Sequence, residues 1–129
     1  MENVSRDDVV VSIRPKLDLV AASGNIEEFQ NEVLRPILKF QNDFLLIATK
    51  HYIGKYHKSF NALKKTNQES ILVQASKQDP EFKAFTVWPI IGLMSSSEFA
   101  FYYQHRSELN KRISAMGIQR VLSQLERLY

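Results

Sequence analysis

Apolar residues recur every three or four positions along one stretch of this chain: Ile26, Phe29, Val33, Ile37, Phe40, Phe44 and Ile47. That spacing draws a stripe along an α-helix, and it crosses Pro36 without losing register. A second row, Leu34, Leu38, Leu45, Ala48 and Tyr52, flanks the first. A face this wide predicts contact with more than one neighbour. The pattern predicts one long amphipathic helix from Ile26 to Tyr56. It should bend at Pro36, which lacks a backbone donor and leaves the carbonyl of Glu32 without its usual partner. Ser23-Gly24-Asn25 reads as the turn before it, with Asn25 as N-cap and Glu28 in the first turn.

Further start signals follow. Thr66 and Glu69 have capping-box spacing and predict a short helix with Ile71, Leu72 and Ala75 inward. Asp79-Pro80 places an acidic N-cap before a proline at the first helical position. The helix it opens carries Phe82, Phe85, Trp88, Ile91 and Met94, and Pro89 should kink or end it. Ser95 and Glu98 repeat the capping box, with Met94 and Phe99 at the staple positions. The last helix should run from Ser107 to Leu128, with Leu109, Ile113, Met116, Val121, Leu125 and Leu128 inward. Val9, Val10, Val11 and Ile13 favour extended backbone, but no second strand can pair with them. Residues 1–24 therefore read as a lead-in, partly disordered or packed as a tail, and residues 25–129 as a single helical domain. The predicted fold is all-α: an irregular bundle of about four to six helices with a long, Pro-kinked first helix.

Composition narrows the chemistry. A chain of 129 residues with 44% apolar residues can bury a real core. Absent cysteine excludes disulfides, thiolate metal sites and a cysteine nucleophile. No apolar run approaches the ~18 residues of a membrane span, and the N-terminus has no signal-peptide hydrophobic region. A soluble, cytoplasmic protein is expected. The net charge of +3 is unevenly spread: −3 over residues 1–49, +4 over 50–83 and +3 over 105–129. Such asymmetry permits an anionic partner.

No catalytic motif emerges. His51 and His57 lie about 240° apart around a helix, so they do not share a face. His105 has only Glu108 at helical spacing. Nucleophile elbows, phosphate-binding glycine loops and metal-ligand spacings are missing. Glu27 and Glu28 complement a helix N-terminus, and Glu32 reads as a surface residue. No catalytic residue, cofactor or metal is expected. The stretch Lys50–Lys65 interleaves bases with tyrosines, the combination that single-stranded nucleic-acid sites use. Lys50, His51, Tyr52, Lys55, Lys58 and Lys64 form this candidate interaction surface, although Tyr52 and Tyr56 could equally pack inward. The two proline kinks, if side by side, would open a pocket at Pro36, Phe40, Phe85 and Trp88. The aromatic residues of the 82–103 region could equally mark a homodimer face.

Leu34-Arg35-Pro36-Ile37-Leu38-Lys39-Phe40-Gln41-Asn42-Asp43 resembles the core motif of a group of short bacterial helical proteins, some carrying an automatically transferred glyoxalase label. Glu108-Leu109-Asn110-Lys111-Arg112-Ile113 is similar to a second stretch of that group, and together the resemblance spans roughly residues 25–127. Neither motif has an assigned role. The glyoxalase label implies βαβββ modules with His and Glu ligands on strands, which these residues do not supply. The resemblance points to Arg35, Pro36, Asn42 and Asp43 as a shared polar feature. The expected function is a small non-catalytic interaction or assembly module, working as a homodimer. One competing reading is a nucleic-acid or anionic-ligand binder through Lys50–Lys65. The other is a small-molecule pocket at the proline kinks.

Overall fold

Pro36 does not break the helix that contains it. In the structure, a computed structural model describing residues 5–15 and 25–128, α2 (Asn25–Phe29) passes through a π-helical turn (Gln30–Leu34) into α3 (Arg35–Phe40). At this turn the Arg35 N–H donates to the carbonyl of Gln30, five residues back. A π-turn is wider than an α-turn, and it lies just where the proline ring would otherwise crowd the carbonyl four residues before it. Pro36 is buried at the start of α3. The bend comes later, at Gln41, whose backbone (φ −87°, ψ 8°) separates α3 from α4 (Asn42–Tyr56). Gln41 fixes that bend by donating from Nε2 to the carbonyl of Pro89 at 3.1 Å.

The two apolar rows fare differently. Phe29, Val33 and Ile37 are buried, but Phe40, Phe44 and Ile47 are exposed. The second row stays in: Leu34, Leu38, Leu45 and Tyr52 are buried. From Leu34 to Tyr52 is 18 residues, about five turns of an ordinary α-helix. Beyond the wide turn, the three-residue step from Ile37 to Phe40 swings the first row by about 60° around the helix. By Phe40 it has left the core.

The remaining elements are α5 (Lys65–Gln78), α6 (Pro80–Ile91), α7 (Ser96–Gln104) and α8 (Arg106–Leu122), with short 3₁₀ turns at Phe60–Ala62 and Leu125–Leu128. All regular structure among the described residues is helical. The Asp79 side chain caps α6 by accepting from the Glu81 N–H, and Ser95 and Glu98 form the reciprocal capping box of α7. The box expected at Thr66 does not form. The N-cap of α5 is instead Lys64, two residues earlier, with extended backbone and no side-chain cap. Pro89 lies inside α6, which continues to Ile91.

Residues 6–12 are helical rather than extended. Ser5 caps this helix, α1 (Arg6–Ser12), by accepting from the Asp8 N–H. Long-range contacts override the weak helix preference of its valines. Arg6 donates to the carbonyls of Met94 and Gly92, Asp7 accepts from the Ser96 N–H, and Arg14 grips Glu98 through its two terminal guanidinium nitrogens. Residues 16–24, with the Ser23-Gly24 turn, and the Asn25 side chain lie outside the described residues. Helix α8 packs on α4, α5 and α6, and Leu34, Ile37, Leu72, Ile90, Leu109, Ile113 and Val121 fill the centre. No helix among the described residues is long and apolar enough to cross a membrane.

Candidate interaction face

Helices α4 and α6 run antiparallel. Gln41 meets Pro89 at one end, Tyr52 stacks edge-on against Phe82, and Lys55 pairs with Glu81 at the other end at 3.5 Å. Phe85 lies between Glu81 and Pro89 on the same i, i+4 line of α6, so it flanks the seam with α4. Phe44 lies about 60° around α4 from Gln41, on that same flank. Trp88 stands a turn beyond Phe85, and Phe40 and Ile47 stand a turn to either side of Phe44. The result is one apolar face shared by two helices: Trp88 is 63% exposed, Ile47 56%, Phe40 46%, and Phe44 and Phe85 44% each. Single exposed apolar residues are ordinary, but five flanking one helix seam suit a surface that a partner covers. The steps Phe40, Phe44, Ile47 follow the four–three spacing of a helix–helix seam.

Of the four residues predicted to line a pocket at the proline kinks, only Pro36 is buried. Phe40, Phe85 and Trp88 point outward and form most of this face. Phe44 and Ile47 complete it. Sequence periodicity assigned those two to the core, and the drift of their row was the available signal that they leave it.

No match is found to a known protein family, a curated protein or a solved structure.

The basic and aromatic stretch divides. Lys50, His51, Lys58 and Lys64 are exposed, and none of the three lysines makes an ion pair among the described residues. Lys55 is held by Glu81 and lies over the Tyr56 ring at 5.0 Å. Tyr52 is buried. Its hydroxyl donates to Asp79 Oδ2 at 2.5 Å, while Asp79 Oδ1 accepts from the Glu81 N–H. Burial, and then the Asp79 carboxylate, push the Tyr52 phenol well above the usual tyrosine range. The same hydrogen bond holds Asp79 below the usual carboxylate range. These residues, with His57, Ile71, Gln74 and Gln78, line a cleft of about 510 Å³. Each Asp79 oxygen accepts one of these hydrogen bonds, so the arrangement locks α4 to the start of α6. Among the described residues, no three His, Cys, Asp or Glu side chains gather as metal ligands.

Proposed function

We propose that this protein is a non-catalytic interaction or assembly module that pairs as a cytoplasmic homodimer through the α4–α6 face. The carrying observation is the run of Phe40, Phe44, Ile47, Phe85 and Trp88 across two adjacent helices, all at least 44% exposed. Covering such a face removes its apolar area from water, and aromatic residues at the centre of an interface carry most of its energy. In this reading the segment from Asn25 to Tyr56 acts as one bent rod and, with the four helices α5 to α8, makes a bundle of five. Its straight, buried row holds the fold while its drifting row meets the partner. The likeness of Leu34–Asp43 and Glu108–Ile113 to a group of short bacterial helical proteins belongs to the same proposal.

Sedimentation over a wide concentration range tests the reading. A mass that rises from monomer to dimer, and returns to monomer in Phe44→Glu, is expected. A monomer mass at every concentration overturns the homodimer.

A further inference from the structure

A second feature adjoins the apolar face at Phe40, near the start of α4, where the ends of α3 and α8 come together. Lys39, Phe40, Asn42, Asp43, Arg120, Ser123 and Gln124 line a cleft of about 450 Å³, a size ordinary for a small ligand. Its floor is a reciprocal amide pair. Asn42 Nδ2 donates to Gln124 Oε1 at 3.1 Å, and Gln124 Nε2 donates to Asn42 Oδ1 at 2.8 Å. Arg120 donates to Asn42 Oδ1 at 3.2 Å. The lining acid, Asp43, is paired with Arg127 at 3.1 Å.

The cations are what need an explanation. Arg120 is half-buried, and burial, with the positive charge of nearby Arg35, draws its pKa below the usual arginine value. Arg35 itself donates to the Asn31 side chain at 2.9 Å. Neither arginine, nor Lys39, makes an ion pair among the described residues. The C-terminus of α8 favours Arg120 and that of α3 favours Lys39, but neither helix end accounts for the two sharing one cleft. Like charges brought together and partly desolvated repel, and an anion between them relieves the cost. A guanidinium fork beside an ammonium matches the spread oxygens of a phosphoryl group. The two cations that line the cleft match the charge of a dianion better than that of a carboxylate. The exposed ring of Phe40 supplies an apolar wall beside them.

We propose that the cleft between α3 and α8 binds a phosphate dianion, free or as the terminal phosphoryl group of a small molecule, through Arg120 and Lys39. This goes beyond the docking proposal and does not depend on it. Titration calorimetry and thermal melting with inorganic phosphate, adenosine monophosphate and acetate, at matched ionic strength, form the test. Phosphate and the nucleotide should each raise the melting temperature, and acetate should not. Arg120→Gln and the fully surface variant Lys39→Gln should each weaken binding at least tenfold. Tighter binding of the nucleotide, lost in Phe40→Ala, assigns a phosphorylated small molecule. Equal binding of the two, unaffected by Phe40→Ala, assigns free phosphate. The proposal is overturned if neither probe binds at millimolar concentration, if sodium chloride or acetate gives the same rise, or if both charge variants bind like the parent.

Discussion

Trp88 is the only tryptophan in the chain, and it stands on the face proposed to pair, so truncating it has a calculable consequence. With 63% of the residue exposed, and a tryptophan burying up to about 250 Å², full coverage removes roughly 160 Å² from water. At about 25 cal/mol per Å² this amounts to ~4 kcal/mol per copy. Ordering and association offset part of it, and tryptophans at interface centres cost about 2–4 kcal/mol on truncation. A twofold interface holds the residue twice. Taking ~2 kcal/mol per copy, Trp88→Ala should weaken the dimer by about 4 kcal/mol, roughly a thousandfold in Kd. The folded monomer should be nearly unaffected, within about 0.5 kcal/mol in urea denaturation, because the side chain is largely in water. Sedimentation reads the first quantity. The parent chain offers a second readout, since its single indole should shift to shorter emission wavelengths as concentration rises and lose that shift in Phe44→Glu. An emission maximum independent of concentration, or a Trp88→Ala protein that associates like the parent, refutes the reasoning.

Other expectations concern the locks that hold the frame of this face. Tyr52→Phe removes the hydroxyl that ties α4 to Asp79, a hydrogen bond to a charged group, and should cost about 1.5–3 kcal/mol in urea denaturation; a neutral result would mean that the pair adds nothing to the α4–α6 seam. Because the folded Tyr52 pKa is raised, its contribution is full below the ordinary tyrosine value near pH 10 and falls away as pH climbs toward the folded value. Stability should therefore decline faster above pH 10 in the parent than in Tyr52→Phe. Glu98, nearly covered by Arg14, is pulled upward by burial, yet the Arg14 pair and the Ser95 N–H outweigh that and hold it below the usual carboxylate range. Its contribution is thus present above the unfolded pKa and lost as pH falls through the folded one. Glu98→Gln should destabilise by about 2–3 kcal/mol at neutral pH, somewhat less than a fully buried pair, and should flatten the acid limb of a stability–pH curve; equal acid limbs would contradict the assignment.

What could be read from the chain follows from how local each signal is. Asp79-Pro80 and Ser95–Glu98 act within one helical turn, and both caps form where their spacing places them. The row from Leu34 to Tyr52 was legible because its spacing equals the helix repeat. The site of the bend was not. Pro36 carries the obvious signal, but the wide turn before it absorbs the clash, and Gln41 bends because Pro89 offers it a carbonyl 48 residues away. Helix α1 was invisible for the same kind of reason, since Arg6 and Arg14 reach partners 79–88 residues distant. The outward face was half legible: its residues stood out as apolar, while their direction depended on a drift of a few tens of degrees. Lys39 and Arg120 gave no joint signal, because α3 and α8 come together only in three dimensions.

The wide turn at Gln30–Leu34 also sets the phase of everything before it. It holds one residue more than an α-turn would, so α2 enters the molecule turned by about 100° from where an unbroken helix would place it. That turn is what presents the Phe29 ring to Phe101, where the two stack at 4.8 Å. The segment is thus a place where chain length and orientation are coupled: losing a single residue there would re-form an ordinary helix, leave the proline facing an undilated turn, and swing Phe29 off its partner while leaving every residue after Leu34 in position.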